Sequence, residues 1–173
     1  MRRIALMALV PAAISSPGWA VTYMSVQQAQ AAMFPGEQLT SAFHELTAQQ
    51  VAAIRKASGE SPLSKSLKSW RAADGGWFIA DEVVGKHEFI TYAVALSADG
   101  AVRGIEILDY RESYGNQVRD PRWRQQFVGK KAGQSLKLGT DIKNISGATL
   151  SSKHITDGVR RVLATYAIVL AHG

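Results

Sequence analysis

One stretch of the sequence decides the fold: Phe89-Ile90-Thr91-Tyr92-Ala93-Val94-Ala95-Leu96. It is rich in β-branched and aromatic residues, which favour a β-strand. Gly85 interrupts the chain before it, and the turn signal Ser97-Ala98-Asp99-Gly100 follows it. Residues 102–110 predict the next strand, so this part of the chain folds back on itself as an antiparallel pair.

The same pattern continues upstream. The side chains of residues 66–72 alternate in a way that suits a strand. Asp74-Gly75-Gly76 is a turn signal, and residues 77–80 begin a further strand. Residues 66–110 therefore predict an antiparallel meander.

Small helices are predicted before the meander. Ser25 can cap a first helix, which the sequence Phe34-Pro35-Gly36 ends. A short strand over residues 40–46 follows. Thr47 and the glutamine three residues later form a capping-box pattern, which starts a second helix over residues 48–57.

The chain after the meander is irregular and then helical. Pro121 begins a short helix over residues 121–127, and a loop over residues 129–143 follows, with a short strand around residues 136–138. Apolar residues at helical spacing predict a last helix beyond Thr149. The predicted fold is α+β, with an antiparallel sheet of about four to six strands, a packed C-terminal helix and small N-terminal helices.

Composition excludes several kinds of chemistry. The 173 residues contain no cysteine, which rules out disulfides, thiolate metal sites and iron–sulfur clusters. Any redox activity must therefore come from an organic cofactor. The net charge of +6 is spread over scattered basic residues, which indicates a solvated surface rather than a nucleic-acid partner.

The N-terminus has the features of an export signal. Arg2 and Arg3 precede an apolar run over residues 4–13, and the small residues Gly18 and Ala20 permit cleavage after Ala20. We expect residues 1–20 to be a signal peptide and the protein to be periplasmic; an uncleaved N-terminal membrane anchor is the alternative. Residues 21–65 are then a helical appendage, and residues 66–173 form the cofactor-binding domain.

A run of small and hydroxyl residues precedes the last helix: Ile145-Ser146-Gly147-Ala148-Thr149-Leu150-Ser151-Ser152. Gly147 and Ala148 let the backbone approach a bulky ligand, and Ser151 or Ser152 can cap the helix. A helix N-terminus favours a phosphate, and Thr149 places a hydroxyl there. On spacing alone, an ordinary well-capped helix start explains the same residues.

The sequence Ser146-Gly147-Ala148-Thr149, followed by a hydroxyl residue, resembles the flavinylation motif of the FMN-binding domain family. This family includes flavin-carrying subunits of the sodium-pumping NADH:quinone reductase and of the Rnf electron-transport complex. The resemblance implies that a flavin transferase, using FAD and a divalent metal, esterifies FMN to Thr149. It also implies that Ser146, Ser151, Ser152 and the backbone of residues 147–148 hold the phosphate.

A second match lies upstream. Glu112-Ser113-Tyr114-Gly115 stands where the family has a Glu-Thr-Pro-Gly loop that contacts the flavin. The resemblance, which covers residues 85–168, implies that Glu112, Tyr114 and Gly115 line the cofactor pocket. Tyr114 replaces the usual proline, and Lys143 stands where the family commonly has an acidic residue.

These observations predict an exported flavoprotein that carries electrons for a membrane or periplasmic redox system. It is expected to be an electron-transfer protein rather than an enzyme with its own substrate. Two alternatives remain: a non-covalent FMN-binding sensor or reductase domain, and a flavin-free periplasmic module that binds a partner.

Overall fold

The structure, a computed structural model, describes residues 21–172. The predicted signal peptide, residues 1–20, lies outside the described residues. The proposed division of the rest into residues 21–65 and residues 66–173 stays a prediction. In this part of the chain, seven strands and four α-helices follow one another, and short 3₁₀ turns lie among them. The described residues include no helix long and apolar enough to cross a membrane.

The strands form one antiparallel sheet. Their bounds are β1 Val21–Thr22, β2 Leu39–Ser41, β3 His44–Glu45, β4 Ser66–Ala72, β5 Trp77–Val84, β6 Phe89–Leu96 and β7 Val102–Tyr110. The order across the sheet is β1-β7-β6-β5-β4-β2, and β3 pairs with β4 beside β2. The predicted meander is confirmed as β4 to β7, and the predicted strand over residues 40–46 is split into β2 and β3.

The helices are α1 Val26–Met33, α2 Ala48–Ser58, α3 Pro121–Arg124 and α4 Thr149–Thr165. Ser25 and Thr47 cap α1 and α2 with complete capping boxes, as predicted. α3 continues as a 3₁₀ turn over Gln125–Phe127, and α4 continues as a π-helical turn over Tyr166–Leu170. The short strand predicted around residues 136–138 is reduced to a single bridge between Leu138 and Ile142.

The two faces of the sheet bury different cores. One core, which includes Tyr92, Ile79 and Ile107, contains residues of α2 and α4. The smaller core contains Phe34, Phe78 and the α1 residue Ala29. Alternation along β5 and β6 produces both cores, because successive side chains point to opposite faces.

α4 lies along the larger core. Its residues Ile155, Val159, Val162 and Leu163 are buried, and its second turn lies beside the end of β5. Gly158 allows this close packing, because a Cβ there would lie 2.5 Å from Tyr92 Oη and 2.7 Å from Val83 Cγ1. The sheet thus positions the first turns of α4 and the loops around them.

Candidate functional site: the first turn of helix α4

Thr149 is the first residue of α4, and its side chain is exposed. Its Oγ1 accepts a hydrogen bond of 3.0 Å from Asn144 Nδ2. The helix has no side-chain cap at Ala148 and no acidic residue in its first turn. A helix start without a cap leaves backbone N–H groups available to an anion, so an accessible hydroxyl stands at a favourable place for a phosphate.

The expectation that Ser151 or Ser152 caps the helix is wrong. Both residues lie inside α4, and both side chains are buried. The helix begins three or four residues earlier than such a cap requires, because Ala148, not a serine, occupies the capping position. Ser151 instead contacts Tyr110 at the end of β7, and Ser152 is fully buried.

Two hydrogen bonds hold the loop before Thr149 against α3 and the 3₁₀ turn that continues it. Trp123 Nε1 on α3 donates to the carbonyl oxygen of Lys143 at 2.7 Å, and the Lys143 N–H donates to Gln126 Oε1 at 2.8 Å. Gly147 has a φ of 82°, a left-handed conformation that glycine adopts without strain. This turn exposes Ser146 and Gly147 and brings Ala148 back into the core.

Tyr110, at the end of β7, connects the two predicted parts of the site. Its hydroxyl donates to the Tyr114 carbonyl oxygen and lies 2.9 Å from Ser151 Oγ. Because the tyrosine has one proton to donate, Ser151 is the donor in the second bond. Burial raises the pKa of Tyr110 above its usual value, which keeps the hydroxyl protonated.

Gly115 completes this contact. It has a φ of 93°, and a Cβ on it would lie 2.6 Å from both Ser151 Oγ and Tyr110 Oη. The loop of residues 112–115 therefore packs directly on the first turn of α4. The structure thus brings together the two segments that the sequence places 34 residues apart at Gly115 and Thr149.

Glu112 contacts the β5–β6 turn. Its Oε1 accepts hydrogen bonds from the N–H groups of His87 and of Glu88, the latter at 3.0 Å. Burial alone would raise the pKa of this carboxyl. The backbone hydrogen bonds from Glu88, His87 and Lys86 lower the pKa by more, so it lies below its usual value. Glu112 thereby fixes the turn beside the site. No pattern in the sequence predicts this interaction.

The remaining predicted residues differ in exposure. The Tyr114 side chain is 85% exposed, whereas Ser152 is fully buried and its Oγ has no hydrogen-bond partner within the described part of the chain. His154 Nδ1 is also buried and has no hydrogen-bond partner within the described part of the chain. Whether the predicted residues contact a cofactor stays a prediction.

Sequence reasoning missed Tyr110. The tyrosine ends a strand directly before the loop at residues 111–115, and that position is the one signal that could have marked it. Its hydrogen bonds to Tyr114 and Ser151 depend on how β7 and α4 meet. No local sequence pattern predicts how β7 and α4 pack against each other.

A family match indicates what the site binds. Residues 85–164 match the FMN-binding domain family. This segment is an FMN-binding domain. It runs from the β5–β6 turn through β6, β7 and α3 to the last turns of α4, and it includes Glu112 and Thr149. The cofactor indicated by the match is FMN, as the sequence motif predicts.

A relative of known function supports the same conclusion. It is one of the subunits of the Na⁺-translocating ferredoxin:NAD⁺ oxidoreductase complex of Acetobacterium woodii, and it is 35% identical over 80 residues. The alignment covers 41% of this chain and 39% of the relative. The chain thus spans about two fifths of the length of the relative. The FMN-binding domain resembles subunits of such complexes, as expected from the motifs.

The first turn of α4 fits the phosphate of FMN. The free helix end, the exposed Thr149 hydroxyl and the absence of acidic residues from this turn all favour a phosphate group. The residues described contain no cluster of histidine, aspartate and glutamate that could hold a metal ion.

Proposed function

We propose that this protein is an exported electron-transfer flavoprotein that carries FMN as a phosphoester on Thr149. One observation carries the proposal: Thr149 presents an exposed hydroxyl at the uncapped N-terminus of α4 inside the FMN-binding domain. The match to a subunit of a redox complex supports a role in electron transfer. FMN supplies one- and two-electron chemistry when bound.

The attachment step follows from the chemistry of the hydroxyl. Thr149 Oγ1 attacks the FMN-side phosphorus of FAD, an oxygen–phosphorus bond forms, and the bond within the pyrophosphate breaks. AMP leaves, and the hydroxyl proton passes to the transferase or to solvent. A flavin transferase with a divalent metal catalyses this exchange, and Thr149 must be accessible to a second protein, as its exposure allows.

The residues around Thr149 have separate roles. Asn144 orients the hydroxyl through its 3.0 Å hydrogen bond, and the first-turn N–H groups of α4 stabilise the phosphate charge. Tyr110 holds the loop of residues 112–115 against the helix. A membrane or periplasmic redox protein exchanges electrons with the flavin.

Coexpression with a flavin transferase tests the covalent bond. Denaturing gels should show a fluorescent flavin band for the wild type and for the exposed control Thr140→Val, and no band for Thr149→Val. A wild-type protein that releases all its flavin on acid precipitation would establish the non-covalent alternative. A colourless wild-type protein would establish the flavin-free alternative.

The mass of the intact protein tests export. Protein recovered from the periplasm should begin at Val21 and carry the mass of one FMN ester. A chain that retains residues 1–20 in the membrane fraction would instead support the N-terminal anchor. The mass lost with residues 1–20 differs from the mass added by the FMN ester, so one measurement reports leader cleavage and flavin attachment separately.

A further inference from the structure

A cavity of about 210 Å³ lies beside the last turns of α4, at the far end of the helix from Thr149. These turns, the end of α2 and the loop over residues 131–134 form its walls. The lining residues are Ala57, Lys131, Ala132, Gly133, Gln134, Arg160, Leu163, Ala164, Ala167 and Ile168. Arg160 lies about 16 Å beyond Thr149 along the helix axis, so the cavity is separate from the first turn of α4.

The floor of the cavity is apolar and its mouth is open. Leu163 and Ile168 contribute branched side chains, and alanines line most of the remaining wall. Ala57 and Ala132 are exposed at the mouth, and a Cβ on Gly133 would meet nothing within 4 Å. The volume lies below the range of about 300–1,000 Å³ that is usual for drug-sized ligands. The cavity therefore fits an alkyl chain better than a fused ring system.

The helix departs from α-helical geometry beside this cavity. Residues Tyr166–Leu170 form a π-helical turn, in which the Ala171 N–H donates to the Tyr166 carbonyl oxygen at 2.9 Å. Turns of this kind are rare and often occur at functional sites. Here the turn carries Ala167 and Ile168, which belong to the cavity lining.

Basic side chains border the cavity on two sides. On one side, Arg55 and Lys56 lie in the last turn of α2, directly before Ala57, and both are exposed. On the other side, the loop supplies three lysines, which are Lys130, Lys131 and Lys137. Arg160 ties this loop to α4, because its Nη1 donates to the Leu136 carbonyl oxygen at 2.8 Å. We call this set of basic residues the basic rim.

Carboxylates compensate only part of the charge of the basic rim. Lys131 binds Asp99 at 2.6 Å in an exposed pair, and Arg160 binds Asp157 at 2.8 Å. Residues 55 and 56 form no ion pair within the described part of the chain, and the cavity lining contains no acidic side chain. The mouth of the cavity therefore has an excess of positive charge.

An apolar cavity inside a basic rim is complementary to an anionic lipid. Burial of an alkyl chain is favourable, and lysine and arginine attract the phosphate of a lipid head group. We propose that this end of the domain binds the surface of an anionic phospholipid membrane, with one acyl chain in the cavity. The basic rim extends to both sides of the mouth, which favours a lipid surface over a single small anion. The proposal does not require FMN on Thr149.

Co-sedimentation of the mature chain, which lacks residues 1–20, with lipid vesicles tests the proposal. Vesicles that contain phosphatidylglycerol should bind the wild type at least about tenfold more tightly than vesicles of phosphatidylcholine alone. Lys56→Gln combined with Lys130→Gln should weaken this binding by about tenfold or more, because each lysine near an anionic surface contributes to the attraction. Lys65→Gln combined with Lys68→Gln, which removes the same charge from exposed positions outside the cavity lining, should weaken it much less.

A second pair of variants tests the cavity itself. Ala57→Phe fills the cavity from its exposed mouth and should weaken binding to phosphatidylglycerol vesicles severalfold. Ala52→Phe makes the same change at another exposed position of α2, and it should leave binding unchanged. Ala132→Phe, in the loop at the mouth, repeats the test without altering α2. Circular dichroism spectra and urea unfolding midpoints show that each variant is folded.

Three results would overturn the proposal. Equal binding of the wild type to both kinds of vesicle, or no binding to either, would exclude an anionic lipid as the ligand. Equal losses for the two pairs of lysine substitutions would show that only the overall charge matters. Binding that depends on Lys56 and Lys130, but not on Ala57→Phe or Ala132→Phe, would remove the acyl chain from the cavity. The basic rim would then be a site for an acidic protein instead.

Discussion

Tyr110 Oη lies 2.9 Å from Ser151 Oγ, and this bond joins the end of β7 to the first turn of α4 across 41 residues of sequence. The same hydroxyl donates to the carbonyl oxygen of Tyr114. One phenol therefore sets the position of the Glu112-containing loop relative to the helix that begins at Thr149. The two motifs of the FMN-binding domain meet through a residue that belongs to neither.

Tyr110→Phe should destabilise the fold by about 1–3 kcal/mol, because it leaves the buried Ser151 hydroxyl without a partner. Urea unfolding of the two proteins measures this difference. Tyr166→Phe removes a hydrogen bond of 3.2 Å from an exposed site, and it should cost less than about 0.5 kcal/mol. Equal costs for the two substitutions would contradict a special role for Tyr110.

Asp81→Ala should destabilise the protein by about 3–5 kcal/mol, since it leaves the buried Arg161 charge without its carboxylate. Arg161 binds Asp81 at 2.7 Å, and Tyr92 also donates to that carboxylate at 3.0 Å. Arg122→Ala breaks an ion pair whose arginine is 92% exposed, and it should cost about 1 kcal/mol at most. Thermal or urea unfolding compares the two variants, and similar losses would show that burial of Arg161 is unimportant.

Gly158→Ala should be destabilising even though alanine is the better helix former. The added Cβ would lie 2.5 Å from Tyr92 Oη and 2.7 Å from Val83 Cγ1, and overpacking of this kind costs about 1–3 kcal/mol. The midpoint of urea unfolding should therefore fall. A rise in the midpoint would show that α4 can move away from the sheet at no cost.

Glu112→Gln should reduce the acid sensitivity of the fold. The pKa of Glu112 is lowered in the folded protein, so its carboxylate stabilises the fold above its unfolded-state pKa of about 4.3. That contribution is lost as the pH falls through the lower folded-state pKa. The loss in melting temperature between pH 7 and acidic pH should be smaller in the variant than in the wild type.

The exposed Glu45→Gln provides the control for that experiment. It should leave the acid sensitivity of the wild type unchanged, because Glu45 lies on the surface of the short strand β3. If Glu112→Gln and Glu45→Gln gave the same pH dependence, the bonds from the β5–β6 turn would not contribute. Both variants keep the size of the original side chain.

Much of the fold could be predicted because its signals are local. Alternating side chains and the turn residues at 74–76 and 97–100 identified β4 to β7, and the capping boxes at Ser25 and Thr47 identified α1 and α2. The start of α4 was misjudged, since any of several small residues could serve as a cap. In the structure Ala148 is the capping residue, and Ser151 instead bonds Tyr110 from within the helix.

The sequence by itself determined the antiparallel meander, the last helix and the motif that marks an FMN-binding domain, because these depend on residues close together in the chain. Tertiary structure alone decided that Thr149 is exposed while Ser152 is buried, and that Glu112 binds the turn at residues 85–88. It also brought Leu63 and His154 to the lining of one cavity. The physical reason is that exposure and hydrogen-bond partners depend on how β7, β5 and α4 pack, which is set by contacts far apart in sequence.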